Sequence, residues 1–211
     1  MMRTGDWYFD FISPFAYLQS EQLQQLAPFV RLRYRPVLFA GLLKHWGQKG
    51  PAEIDAKRQF TFEFCIWQAE RLGIPFKMPP LHPFNPLALL RLATAADSRP
   101  EIVHAIFRFV WQDGRLPDTP LEWLELTSLL GLPHEEAHIS ASRVKDDLRA
   151  ATDEAIARGV FGVPTIVIDD RLFWGLDATA MALDYLQGAP VFQSEAFARV
   201  RDVPAGAERT S

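Results

Sequence analysis

Two segments at opposite ends of the pattern constrain everything between them. Trp7 to Phe11 is aromatic-rich and reads as a buried strand, and it runs directly into Ser13-Pro14. Proline suits the first helical position, since its missing N–H would lack an intrahelical partner there. Ser13 is then the N-cap of a helix predicted to reach about Ala27, with Phe15, Leu18, Leu23 and Leu26 as its apolar contacts. Val30, Leu32 and Tyr34 alternate with Arg31, Arg33 and Arg35, a second strand that ends at Pro36. Strand, helix, strand in so short a space is a β-α-β unit, by default parallel with a right-handed crossover. Near the other end, Gly162-Val163-Pro164 leads into the apolar run Thr165 to Ile168. Asp169-Asp170-Arg171 turns it back into Leu172-Phe173-Trp174, an antiparallel hairpin. Gly175 breaks the hairpin, and Asp177 is read as the cap of a helix through Met181 and Leu186. Neither end can close a sheet alone, so the two must pack together.

Residues 38–158 read as helix after helix. Pro51 opens one that ends near Gly73, with Phe60, Phe64 and Trp67 on one face. Pro86 and Pro100 open two more, the second closing at Gly114. Thr119-Pro120-Leu121-Glu122 is a capping box, and Gly131 closes its helix. A long helix covers about Ser140 to Arg158, stopped by Gly159. The predicted organisation is α/β: residues 1–37 and 159–200 form one domain, 38–158 an inserted helical domain, and 201–211 a loose tail.

Composition narrows the function. Across 211 residues, 48% are hydrophobic and 23% charged, ordinary for a globular protein. The net charge is −4 with no basic run, which argues against a nucleic-acid partner. No apolar run is long enough to span a bilayer and the start leaves no room for a secretion signal, so no membrane partner is expected and a cytoplasmic location is. Cys65 is the only cysteine. It excludes an intrachain disulfide and reads as an inert core thiol.

Few residues carry candidate chemistry. Ser13 is a helix cap on the plain reading; on the functional one, a hydroxyl at a helix N-terminus stabilises a thiolate by donating a hydrogen bond. No Gly-x-Ser-x-Gly elbow makes it a hydrolase nucleophile. Pro164 is either the first residue of an edge strand or a cis proline that presents Val163's backbone to an extended ligand. Asp177 either caps a helix or pairs with a ligand ammonium, and Trp174 is core or site. His134-Glu135-Glu136-Ala137-His138 has the His-Glu-x-x-His spacing. It stands beside Pro133 with no evident third ligand, so no metal is expected.

Phe9 to Leu18, Gly47-Gln48-Lys49-Gly50-Pro51, Arg71 to Phe76, and Val160 to Thr165 with Phe173 to Asp177 follow one another in a recognisable order. In these stretches the chain resembles the 2-hydroxychromene-2-carboxylate isomerases, members of the DsbA-like thioredoxin superfamily related to kappa-class glutathione transferases. The resemblance implies a thioredoxin-like fold with a large all-helical insertion. Ser-Pro-Phe-Ala stands where a redox member carries Cys-x-x-Cys, which argues against disulfide exchange and for holding another molecule's thiol.

The resemblance further implies glutathione as a regenerated cofactor, a small aromatic substrate and a homodimer. Ser13 would contact the glutathione sulfur. Val163, before Pro164, would pair with the cysteinyl unit, and Trp174, Gly175, Leu176 and Asp177 would surround the γ-glutamyl end. The implied reaction is reversible thiolate addition to the chromene ring, ring opening, rotation and elimination. Departures from the pattern are Leu176, where relatives often carry Asn, Gln or Ser; Leu43 where a lysine is expected, with Lys44 adjacent; and Glu53-Ile54 in place of an Asn-Arg pair. Lys44, His82 and Asn85 are the substrate-side candidates. The rival readings are a kappa-like transferase that consumes glutathione, a disulfide oxidoreductase relative without redox activity, and a non-catalytic binding module.

Overall fold

The computed structural model describes residues 2–132, 139–204 and 206. Its sheet has strand order β2-β1-β3-β4, where β1 is Arg3–Phe9, β2 Val30–Pro36, β3 Thr165–Ile168 and β4 Arg171–Trp174. β1 pairs parallel with β2 from Arg3↔Val30 to Phe9↔Pro36, and antiparallel with β3 from Tyr8↔Thr165 to Gly5↔Ile168. The two ends of the chain thus share one sheet, with the seam at its centre. Glycine is needed at that seam: a Cβ on Gly5 would sit 2.9 Å from the Val167 carbonyl oxygen.

Alternation along β1 feeds two cores. Trp7, Phe9 and Phe11 face one side, with Ile166, Phe173, Phe107 and Trp111; Tyr8 faces the other, with Val167, Leu42, Ala155 and Val160. The helices are α1 Pro14–Ser20, α2 Phe39–Trp46, α3 Asp55–Leu72, α4 Leu87–Ala95 and α5 Pro100–Phe107. Beyond them lie α6 Pro120–Leu129, α7 Ser142–Ala157, α8 Ala178–Leu186 and α9 Glu195–Arg199. Helices drawn from the 38–158 segment therefore cover both sheet faces, α4 and α5 on one and α2 and α7 on the other.

Several boundaries differ from expectation. α1 stops at Ser20 instead of near Ala27, because the Ser20 hydroxyl bonds back to the Tyr17 carbonyl at 2.7 Å and competes with the helical ladder. Leu23 and Leu26 are still buried, through a 3₁₀ turn at Leu23–Gln25. Pro51 opens a 3₁₀ turn (Pro51–Glu53) just before α3. α5 continues as a π turn, Arg108–Gln112. A 3₁₀ turn at Val200–Asp202 follows α9, so regular structure reaches two residues into the segment expected to be loose.

Candidate active site

The site is built at the C-terminal end of β1. Asp10, fully buried, accepts the Ile12 N–H at 3.1 Å with one carboxylate oxygen and the Phe39 N–H at 2.9 Å with the other. One buried side chain thereby fixes both the loop before Ser13 and the first turn of α2. Burial pushes its carboxyl up to about 7, only partly offset by these hydrogen bonds.

Ser13 caps α1 as expected, its Oγ accepting the Ala16 N–H at 3.2 Å. Among the described residues the hydroxyl's own proton has no acceptor. The Val163–Pro164 peptide is cis, the second of the two readings that the sequence offers for Pro164. Val163 and Ser13 line the same cavity, of about 220 Å³. Neither the N–H nor the carbonyl of Val163 hydrogen-bonds to any described residue. A hydroxyl with a proton to give and an unpaired stretch of backbone thus face one space.

The rest of that cavity is mainly apolar, with Ile12, Phe15, Phe39, Leu43, Phe62 and Pro83 among its walls. His82, also in the wall, approaches the Ile12 carbonyl at 2.8 Å through Nε2. A carbonyl only accepts, so Nε2 carries the proton and Nδ1 presents a lone pair, buried without a partner among the described residues. Burial holds the imidazole below its usual pKa, the Ile12 hydrogen bond opposes this, and the charge of Arg58 adds to it.

The turn at residues 174–177 is tied to the same corner. The Gly175 N–H donates to the Pro164 carbonyl at 2.9 Å, and the φ of +93° at Gly175 suits glycine alone. Gln19, buried in α1, donates to the Gly175 carbonyl and to the Thr179 hydroxyl, both at 2.9 Å, and accepts the Trp7 indole N–H at 2.8 Å. Trp174 is 54% exposed and meets Phe161 edge-on, while Leu176 is buried. Asp177 occupies the position before α8 but makes no capping hydrogen bond. Its exposed carboxylate is therefore unspent on the helix, while the Thr179 hydroxyl donates to the Leu176 carbonyl at 2.7 Å.

Of the three substrate-side candidates, only His82 lines the cavity. Lys44 lies on the exposed side of α2, where its neighbour Leu43 faces the cavity instead. The Asn85 side chain folds back to accept the Leu87 N–H at 3.1 Å, at the start of α4. Sequence reasoning missed Asp10, Gln19 and Arg58. An aspartate closing an apolar strand is the one local signal for Asp10, whereas nothing local marks the other two. His134 and His138 lie outside the described residues. A larger groove, about 940 Å³, is bounded in part by Glu21, Tyr34, His104 and Arg108. Four of its polar groups pair with one another: Tyr34 with His104 at 3.0 Å, and Arg108 with both oxygens of Glu21. The Ser13 cavity is singled out by what it brings together, a helix-capping hydroxyl and the backbone beside the cis proline.

A mixed sheet flanked by helices, with a cis proline entering β3 opposite the β1–α1 junction, defines a DsbA-like thioredoxin domain, and residues 6–187 match the DSBA-like thioredoxin domain in sequence. The chain is 30% identical over 200 residues to a 2-hydroxychromene-2-carboxylate isomerase of Sphingobium xenophagum, an alignment covering 89% of this chain and 97% of that one. A solved 2-hydroxychromene-2-carboxylate isomerase superposes with a TM-score of 0.77 at 26% identity, covering 90% of this chain and 97% of its own. The chain belongs to the 2-hydroxychromene-2-carboxylate isomerase family. It is also 26% identical over 206 residues to a kappa-class glutathione S-transferase of Caenorhabditis elegans, covering 87% of this chain and 92% of the relative.

Proposed function

We propose that the protein is a glutathione-dependent isomerase acting on 2-hydroxychromene-2-carboxylate or a related aromatic acid. The observation that carries the reading is the Ser13 hydroxyl proton, without an acceptor among the described residues, in the cavity that the Val163 backbone, unpaired among the same residues, also lines. Ser13 would donate to the cofactor's sulfur and hold it ionised. With α1 only seven residues long, the hydroxyl rather than a helix dipole carries most of that task. Val163 would hold the cysteinyl unit through its N–H and carbonyl, in the manner of strand addition. Asp177 would take the ammonium of the γ-glutamyl end, with Gly175 and Leu176 contributing backbone and Trp174 a flat wall. Glutathione, when bound, supplies a nucleophilic thiolate that is recovered after the substrate rearranges.

Cys65 is no rival nucleophile: it is buried in α3 and its thiol is pushed up to about 12 by that burial. Among the described residues no helix is long and apolar enough to cross a membrane. A cytoplasmic location and a homodimer are part of the proposal, the homodimer supported by the exposed apolar side chains Phe60, Ile66 and Trp67 along α3. Division of the chain into a thioredoxin-like domain (1–37 and 159–200) and an inserted helical domain (38–158) is likewise part of it. Titrating the protein with glutathione and following thiolate absorbance at neutral pH tests the site. A saturable rise is expected, and no rise at saturating glutathione would refute it. The kappa-class resemblance sustains one rival, a transferase that releases a conjugate.

A further inference from the structure

The Ser13 cavity contains one permanent positive charge among its described lining residues, and it comes from neither position that the isomerase pattern would give a cation. Leu43 fills one of those positions and Glu53-Ile54 the other, while Lys44 points away. The cation is Arg58, on the first turn of α3. Its guanidinium is held at 3.1 Å by Asp55, three residues earlier on the same helix. That Asp55 side chain is 92% exposed, so the pair is a surface ion pair of small net worth, and a ligand carboxylate can displace it. Glu53, the one carboxylate among the described lining residues, is fixed at the rim by accepting the Gly50 N–H at 2.6 Å and makes no ion pair with Arg58. The positive charge of Arg58 is felt at His82, across the cavity wall from Ile12.

We propose that Arg58 is the specificity-determining residue of the substrate pocket, binding the carboxylate of an aromatic acid whose ring lies among Phe39, Phe62 and Leu43. The proposal rests on the glutathione-dependent isomerase reading above, and takes the Phe39, Phe62 and Leu43 part of the cavity as the place of the second substrate, beside the thiolate. A planar guanidinium matches a carboxylate with two parallel hydrogen bonds, which an ammonium on a flexible stem does not. Flat apolar walls with a single cation suit a planar acid and not its neutral counterpart. The neutral His82, with its Nδ1 lone pair, adds no competing positive charge. With the cation on α3 rather than α2, the carboxylate is held at the α3 side of the pocket.

Isothermal titration of the full-length protein with trans-cinnamate and with its neutral isostere cinnamamide tests this. The wild type should bind the acid about tenfold or more tightly than the amide. Arg58→Gln should abolish that preference while leaving amide affinity unchanged, which also reports an intact pocket. Arg58→Lys should retain part of the preference, and Asp55→Asn should strengthen acid binding, because it removes the competing carboxylate. An acid preference that survives in Arg58→Gln, or equal loss of acid and amide binding, would overturn the proposal. Thiolate absorbance on adding glutathione to the same proteins keeps the two readings apart. Absence of the thiolate signal with the acid preference intact and Arg58-dependent would strike the cofactor reading and leave Arg58's role standing.

Discussion

At the scale of single residues, Ser13 and Asp10 divide the work at the end of β1. Ser13 offers a hydroxyl proton to the cavity, and Asp10 holds the loop that aims it. Ser13→Ala should raise the thiol pKa of bound glutathione by roughly one to two units, the worth of one charge-assisted hydrogen bond, and change affinity less. Titrating thiolate absorbance against pH checks this; an unchanged curve would make Ser13 a cap alone. Asp10 gives a test with a definite sign. Its folded-state pKa of about 7 lies above the unfolded value, so between about pH 4 and 7 the folded protein binds more protons, and Asp10 makes stability fall as pH rises. The slope it adds approaches about 1.4 kcal/mol per pH unit, and denaturant unfolding of Asp10→Asn across that range should lack it. The role of Ser13 could be read from local sequence because capping is a local event. That of Arg58 could not, since its meaning depends on α3 being folded over the cavity.

At the scale of elements, the turn at residues 174–177 has its shape set from across the molecule by Gln19. Gln19→Leu should strand the Trp7 indole N–H and the Gly175 carbonyl and cost about 2–4 kcal/mol. It should also raise the KM for glutathione more than it lowers kcat, because the turn, not the thiolate, is disturbed. Chemical denaturation and steady-state kinetics check the two halves; a stable variant with an unchanged KM would contradict them. The same dependence on distant partners explains what the sequence left unread. The helix at Phe39 has no capping side chain of its own: the Thr152 hydroxyl accepts the Leu38 N–H and Asp10 the Phe39 N–H. Where signals are self-contained, as in the capping box Thr119–Glu122, the expected start was found at its residue. Asp177 shows the opposite case, a good capping residue by type whose side chain accepts no helical N–H among the described residues.

At the scale of the whole molecule, both sheet faces are closed by helices from residues 38–158, so the sheet cannot keep its cores without them. Equilibrium unfolding should therefore be one cooperative transition, with tryptophan fluorescence and far-ultraviolet circular dichroism coinciding. Two separated transitions would mean that the helical segment holds a core of its own. The exposed face of α3, with Phe60 at 64% and Trp67 at 47%, should be covered by a second copy. Sedimentation velocity at micromolar concentration should then show a dimer, and a monomer would remove that part of the proposal.

The central claim is that this cavity borrows a thiolate and gives it back. Incubating the enzyme with 2-hydroxychromene-2-carboxylate in large excess over glutathione tests that most directly, with product and free thiol counted together. The account predicts many turnovers per glutathione, with the thiol recovered intact. Product that stops at one equivalent as the thiol disappears, with no product inhibition, would contradict it and mark the protein as a transferase.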